Sequence, residues 1–381
     1  MAAIVVGVAA LIVVLSVFNG FEDLVKSLYS TFYTDLKIVP ASGKTIIVPV
    51  EELDRLKKVD GVKAFTRVAE DKALLQNGEL QSLVFIKGVD ENYAKVTSVA
   101  QHIVSGKFET GSADQPAIVL GAVVESALGL QSDRSVLPVT AYLFKRGGNL
   151  NTADPLQSLS SANLIPAGAF LIQQDFDNKY VLTNLQFVQQ MLRWSADEYS
   201  GIEIAVTNPS ATKQVQQRLQ QLFGRKFLVL DKYQQNASLY NVMRVEKWVI
   251  YAILSLILVV AAFNMIGALT MLVMEKQKDI QVLKAMGADD RVVQRIFVSE
   301  GLLLALLGGG LGILIAVILC WFQIKFHLVP LQGGTFVVSY YPVKMQLFDF
   351  VLVVSTVIVV SLLASLFPAR KAATQPIELR S

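Results

Sequence analysis

Few residues in this sequence have the types and spacing that enzyme chemistry or metal binding requires. Cys320 is the only cysteine, and the only two histidines, His102 and His327, lie too far apart for an HExxH zinc motif. The sequence has no GxxxxGK[ST] loop, so we do not expect the chain to hydrolyse ATP by that route. We therefore predict no catalytic residues, no metal ligands and no cofactor, and an enzymatic function has almost no support.

The polar residues of greatest interest lie in long apolar runs, where an ionisable group is costly and is by default a functional candidate. These residues are Asn264 and Glu300. For Glu300, an ion pair with Arg295 or with a neighbouring chain is as well supported as a coupling role. Asp349 lies two residues into its apolar run, and we expect it to reach the outer interface. No second buried carboxylate or basic partner suggests a proton relay, which argues against a secondary transporter.

Four apolar runs are long enough to cross a membrane. A hydrophobic fraction of 53%, a mean hydropathy of +0.49 and a charged fraction of 17% indicate an integral membrane protein. A cleaved signal peptide is the alternative for the first run, but that run has no basic leader and no small-residue cleavage site. Because it begins at Met1, we expect the natural start to lie upstream or the chain to be a fragment. We predict spans at residues 1–20, 248–274, 296–322 and 347–368.

The segment between the first two spans, residues 21–247, has a different character. Charged residues recur, and short β-branched runs alternate with amphipathic segments, which predicts a soluble α+β domain whose size suggests two subdomains. Residues 145–166 are rich in Gly, Asn, Ser and Pro and are predicted to form a projecting loop or mobile hairpin. We also predict one continuous helix from about Asp231 to Met274, because this stretch has no early Pro or Gly. Such a rod would carry movement to the outer domain.

Basic residues predict which side of the membrane each segment faces. The charged hinge, residues 275–295, contains five Lys and Arg residues and the tail, residues 369–381, contains three, whereas the loop at 323–346 contains two. Lys and Arg accumulate in short loops on the cytoplasmic side. The hinge and the tail are therefore predicted to be cytoplasmic, and the large domain and the loop at 323–346 to be extracytoplasmic.

The charged hinge and both chain ends carry motifs of a known family. The stretch EKQKDIQVLKAMGADDRVVQRIFVSEGLLLALLGGGLGILIA resembles the signature of the FtsX-like permeases, with YYPVK before the fourth span and SLFPARKAATQPIELR at the end. The first run, GVAALIVVLSVFNGFE, resembles the first span of the lipoprotein-releasing, or Lol-type, permeases, and DFDNKYVLTNLQFVQQML matches their outer domain more loosely. The resemblance implies a type VII ABC transporter permease with four α-helical spans and a large MacB-like α+β periplasmic domain between spans one and two.

The resemblance also implies a function and a set of partners. Lol-type members sit in the bacterial inner membrane and release lipoproteins for transfer to the outer membrane, by mechanotransmission of ATP-driven movement. The implied partners are a separate cytoplasmic ABC ATPase, a second permease copy or a paralogue in a dimer, the lipoprotein cargo, a periplasmic lipoprotein carrier and membrane lipids, but no nucleic acid.

Two groups of site residues follow from the resemblance. The helix at residues 278–286 resembles the ATPase-coupling helix, with Gly287 ending it; its residues are Lys278, Asp279, Ile280, Leu283, Lys284, Met286 and Gly287. The segment near residues 149–166 lies roughly where one Lol paralogue carries its carrier-binding hook. The candidate residues of that loop are Asn151, Asp154, Pro155 and Pro166.

Three other functions remain as alternatives. A MacB-type exporter of peptides or drugs shares the architecture but usually has its ATPase fused ahead of the first span. The FtsX division type signals to cell-wall hydrolases and has a much smaller outer domain. A signalling or adhesion protein without an ATPase would not need the charged hinge.

Overall fold

The computed structural model describes residues 1–134, 137–144, 159–331 and 340–374, and these form two compact units. The helical unit comprises the described residues of 1–25, 239–331 and 340–374, and the sheet unit comprises those of 26–238. The helices are α1 (Ala2–Phe32), α2 (Val50–Lys57), α3 (Tyr93–Val96), α4 (Ala122–Ala127), α5 (Gln174–Asp177), α6 (Leu185–Leu192), α7 (Thr212–Phe223), α8 (Lys232–Gln235), α9 (Ala237–Glu275), α10 (Gln277–Ala285), α11 (Asp290–Phe326) and α12 (Leu347–Ala373).

Four helices of the described chain, α1, α9, α11 and α12, are long and apolar enough to cross a membrane. Small and branched side chains pack between them, with Val8, Ala305 and Val353 fully buried in a shared apolar cluster. Their outward faces carry large apolar side chains, as expected of helices that face lipid. The remaining helix of this unit, α10, is short and lies between α9 and α11 in the chain.

The sheet unit is built on strands of alternating inward and outward side chains. They are β1 (Leu36–Pro40), β2 (Ile46–Ile47), β3 (Val62–Asn77), β4 (Leu80–Val89), β5 (Ile103–Gly106), β6 (Ala117–Gly121), β7 (Val139–Phe144), β8 (Leu159–Phe170), β9 (Tyr180–Asn184), β10 (Glu198–Tyr199), β11 (Gly201–Val206) and β12 (Phe227–Asp231). Ten of them form one sheet: nine follow the order β12-β1-β11-β3-β4-β9-β6-β8-β5, and the tenth, β7, pairs with β3 and β8. The remaining two, β10 and β2, pair with each other.

The long strand β3 gives this sheet its shape. Its first half pairs with β11 and its second half with β7, and β7 pairs in turn with β8. The pairing therefore closes a circuit through β3, β4, β9, β6, β8 and β7. One buried apolar cluster runs from β1 and β12 through to β6 and β7. The division of this domain into two subdomains stays a prediction.

A charged pair is buried inside the sheet unit. Lys87 on β4 is 1% exposed, and its Nζ lies 2.8 Å from an Oε1 of Glu203 on β11, which is 2% exposed. Lys37 on β1 approaches the same carboxylate at 3.2 Å. The Lys87 ammonium also lies over the rings of Phe32 and Tyr93, at 4.7 and 5.1 Å. Burial alone would raise the pKa of Glu203, but the two ammonium groups hold that pKa below its usual range.

The prediction of one continuous helix from Asp231 to Met274 is wrong at its start, where the structure has two separate helices, α8 and α9. The Asp231 side chain accepts a hydrogen bond from the Gln234 N–H at 2.7 Å, and the Gln234 side chain accepts one from the Asp231 N–H at 3.0 Å. This capping box starts the separate helix α8, and Asn236 then leaves the helical conformation with φ −133° and ψ 51°. The continuous rod is α9, with 39 residues and a length of about 58 Å.

Helix α12 continues past Pro368, the last residue of the predicted fourth span, to Ala373. Ala369, Ala372 and Ala373 are buried in this last turn, and the position at which the span itself ends stays a prediction. The last part of the predicted loop or hairpin at 145–166 belongs to strand β8, which begins at Leu159 and pairs antiparallel with β7. Residues 145–158 lie outside the described part of the chain.

We predict that Glu203→Gln destabilises the sheet unit by roughly 3 kcal/mol, because it leaves Lys87 buried without its counter-charge. Thermal unfolding of the purified protein measures the change. Because the pKa of Glu203 is lowered, the contribution of its carboxylate is present above the usual value of 4.5 and is lost as pH falls through the lowered pKa. Asp54→Asn breaks an exposed pair with Lys57 and should change stability by less than about 0.5 kcal/mol. Equal effects of the two substitutions would contradict the prediction.

Candidate functional site

Helix α10 is held against its neighbours by one buried side chain. Ile280 is 3% exposed and belongs to an apolar cluster with Val273 of α9, Val293 and Phe297 of α11, and the alanines at the end of α12. Three long helices therefore meet beneath this short one. Because each of them contributes apolar contacts, a force on α10 reaches all three.

Lys284 adds polar contacts on the same side of α10. Its Nζ donates a hydrogen bond to the Ala373 carbonyl oxygen at 2.5 Å and lies 2.8 Å from an Oδ1 of Asp290. Lys284 is only 11% exposed at its side chain, whereas Asp290 is 58% exposed. The ammonium thus binds the hinge to the last residue of α12, where the helix dipole also favours a positive charge.

Gly287 ends α10 in the way the sequence predicts. Its φ is +96°, a left-handed conformation that glycine adopts without strain. The Gly287 N–H donates to the Lys284 carbonyl and the Ala288 N–H donates to the Leu283 carbonyl, each at 3.0 Å. This pair of bonds is a Schellman motif, which satisfies carbonyl groups at the helix end and turns the chain toward α11.

The rest of α10 is open to solvent. Met286 is 81% exposed, and Lys278 and Asp279 are exposed, with Asp279 paired to Lys276 at 3.2 Å. Leu283, one turn from Ile280, is 37% exposed at the edge of this surface. The predicted coupling residues therefore divide into two groups. Ile280 and Lys284 hold the helix, while Lys278, Asp279, Leu283 and Met286 form an exposed surface with both apolar and charged groups. A surface of that kind is suited to docking against another protein.

The two membrane polar candidates lie on different helices. Asn264 is exposed on α9. Glu300 is half-buried on α11, and the side chain of neither residue makes a hydrogen bond or ion pair with any residue that the structure describes. An ion pair between Glu300 and Arg295 is thus absent from the described chain, and a contact with a neighbouring chain stays a prediction.

The candidate carrier-binding loop is mostly outside the described chain. Asn151, Asp154 and Pro155 lie in the segment that the structure leaves undescribed. Pro166 is described, but it is buried in β8 and pairs with Ile118 of β6, so its assignment to a loop is wrong. The pairing register shifts between Ile118 and Val119. A bulge of this kind accommodates a proline, which cannot donate a hydrogen bond to the neighbouring strand.

A second polar site, which the sequence analysis missed, joins three spans. Asp349 of α12 is 2% exposed and accepts a hydrogen bond from the Asn19 amide of α1 at 2.5 Å. Its other carboxylate oxygen lies 3.1 Å from the Lys247 ammonium of α9, which also donates to the Asn19 side-chain oxygen at 2.8 Å. We call Asn19, Lys247 and Asp349 the polar joint. Asp349 was expected to reach the interface, but it is buried and ion-paired instead.

The segment just before α12, which contains Pro342 and Lys344, contacts α1 next to the polar joint. The Lys344 N–H donates to the Ser16 carbonyl at 2.9 Å, and its ammonium pairs with Asp23 at 2.7 Å. Gly20 faces the Pro342 carbonyl so closely that a Cβ atom would lie 2.3 Å from its oxygen. Two quoted sequence motifs, NGFE and YYPVK, are thereby brought into contact.

A signal for the polar joint was present in the sequence. Asn19 follows the first span, Lys247 precedes the second, and Asp349 opens the fourth. Spans that alternate in direction bring these three ends to the same side of the membrane, so the three side chains could have been expected to lie at one level. Among the described residues, no group of three or more His, Cys, Asp or Glu could hold a metal ion.

The fold and these sites define a multi-pass membrane protein with an α+β domain between its first and second spans. Residues 251–377 match the model of the FtsX-like permease C-terminal region, and residues 1–144 match that of the MacB-like periplasmic core domain. The chain belongs to the FtsX-like permease family of ABC transporters, whose domains are typically non-catalytic transmembrane subunits. The predicted fold class is confirmed, and membership implies an ATPase partner.

Relatives match the chain along most of its length. The lipoprotein-releasing system transmembrane protein LolC of Neisseria meningitidis serogroup B is 27% identical over 99% of this chain and 92% of its own length. The LolE protein of that system in Haemophilus influenzae is 25% identical over 99% and 92%. The solved periplasmic region of MacB from Actinobacillus actinomycetemcomitans has 14% identity and a TM-score of 0.37, over 56% of this chain and 95% of that one. The family assignment rests on the sequence matches.

Proposed function

We propose that this chain is the permease subunit of an ABC transporter that releases lipoproteins from the bacterial inner membrane for transfer to the outer membrane. ATP is hydrolysed by a separate cytoplasmic subunit, which docks on the exposed surface of α10. The sheet unit lies in the periplasm and moves in response. A second permease copy or a paralogue completes the transporter, and a periplasmic carrier accepts the cargo.

The similarity to LolC and LolE over nearly the whole of both chains carries the cargo assignment. The coupling assignment is supported by the shape of the hinge. Helix α10 is anchored by Ile280 and Lys284, while Met286 and part of Leu283 remain exposed to solvent. Movement of a docked partner would therefore displace α9, α11 and α12 together with α10, because α10 is packed against all three.

Substituting the exposed surface of α10 tests the docking site. We expect the double variant Leu283→Asp and Met286→Asp to lower co-purification of the ATPase by about tenfold or more, because it places two charges where apolar contacts form. Lys284→Met is a different case, since it removes bonds that hold α10 itself, and should lower thermal stability as well.

A matched control separates docking from a general effect of added charge. Leu83→Asp places a charge on an exposed leucine of β4, in the sheet unit, and should leave ATPase co-purification unchanged. If the α10 double variant retains the ATPase as fully as the unsubstituted protein, α10 is not the docking surface.

Depletion of the protein in its host tests the cargo. We expect lipoproteins to accumulate in the inner membrane and to fall in the outer membrane, because the step that removes them from the first is lost. Quantitative immunoblotting of separated membranes, with total lipoprotein as the control, measures this. An unchanged distribution after confirmed depletion would contradict lipoprotein release. The exporter or signalling function would then be tested by measuring secreted peptides and cell-wall hydrolase activity.

A further inference from the structure

We propose that α12 is the element that transmits movement from the coupling helix to the polar joint, and that Asp349 is a positioning residue that makes α1 and α9 move with it. This inference rests on the proposed docking of an ATPase at α10 and extends it to named contacts. It does not depend on which cargo is released.

At its hinge end, α12 is bound directly to the coupling helix. Lys284 of α10 donates to the carbonyl of Ala373, the last residue of α12. Ala369 and Ala372 are fully buried in the cluster that surrounds Ile280. A displacement of α10 thus acts on α12 through one charge-assisted hydrogen bond and through close apolar packing.

Between its ends, α12 is one continuous helix with a buried stripe. The stripe runs along the face that packs on the other spans and consists of Asp349, Val353, Val357, Ser361, Ala364, Ser365 and Pro368. Ser365 lies against Gly301 of α11, where a Cβ atom would be 2.7 Å from that of the serine. Tyr251 of α9 and Thr356 of α12 are also hydrogen-bonded. The helix is therefore supported along its length and can act as a stiff element.

At its other end, α12 is bound to the two helices that continue into the sheet unit. The Asp349 carboxylate contacts Asn19 of α1 and Lys247 of α9. Helix α1 runs on without a break to Phe32, and α9 begins at Ala237, directly after the sheet unit's last helix. Through Asp349, a movement of α12 reaches both chain connections of that unit.

The charge of Asp349 explains why α1 and α9 would move together with α12 instead of sliding past it. Apolar helix faces can slide past each other by small shear displacements at low cost. A buried carboxylate has less freedom, because moving it away from Lys247 and Asn19 would leave a buried charge without its partners. The structure describes no other cation paired with Asp349. The joint therefore has one low-energy arrangement, and α1 and α9 follow α12.

The test measures nucleotide-driven movement in the intact complex with its ATPase. Spin labels are attached at Glu79→Cys in the β3–β4 turn and at Lys325→Cys near the end of α11, in a Cys320→Ala background. We expect the distance between the labels to change when a non-hydrolysable ATP analogue is added. Asp349→Asn and Lys247→Met should abolish most of this change while leaving ATPase co-purification intact. Lys247→Arg, which keeps the charge, should retain it.

Two further variants separate positioning from simple stability. The double variant Lys247→Met and Asp349→Leu replaces the pair with apolar side chains and should fold as well as the unsubstituted protein, yet still lose the distance change. Asp23→Asn breaks the exposed pair with Lys344 beside the joint and should have no effect. The inference is overturned if the unsubstituted complex shows no distance change, or if Asp349→Asn or the apolar double variant moves normally. Failure of lipoprotein release, with these distances behaving as expected, would refute the cargo assignment alone.

Discussion

One buried carboxylate joins three long helices of the helical unit. Asp349 is almost completely removed from solvent, and its negative charge is balanced by Lys247 and supported by the Asn19 amide. A buried pair of this kind adds little net stability, because desolvation offsets much of the attraction between the charges. What it contributes is geometry, since three helices must keep their mutual position for the charge to remain satisfied. The close packing at Gly20 and the Lys344 backbone bond lie beside this pair and hold α1 against the start of α12.

The two ends of α12 have complementary roles in this account. At the hinge, Lys284 and Ile280 attach the coupling helix to α12, while Met286 and Leu283 remain available to a partner. At the polar joint, α12 is attached to the helices that lead into the sheet unit. In the mechanism that we propose, the helix receives a force at one end and delivers it at the other. The FtsX-like permease family implies an ATPase partner that would supply this force.

Much of this organisation is predictable from the sequence, because it follows from local physical rules. The spans are long uncharged runs, the end of α10 needs a residue with positive φ at Gly287, and the hinge is basic. The polar joint was missed because its three residues are more than 100 positions apart in the chain, so that only the alternating direction of the spans, and no local pattern, brings them to one level. The break at Asn236 was missed because a capping box between Asp231 and Gln234 starts the separate helix α8 before it. Helix α12 continues through Pro368 because its last turn packs in the buried cluster that surrounds Ile280.

The most direct test of the central claim is the coupling free energy between Lys247 and Asp349. It is obtained from the thermal stability of the purified protein and of the variants Lys247→Met, Asp349→Leu and the two combined. If the charges form one buried pair, each single substitution leaves the other charge unpaired, and the double variant should be more stable than the sum of the single effects by about 1–3 kcal/mol. Additive effects, within about 0.5 kcal/mol, would contradict the account.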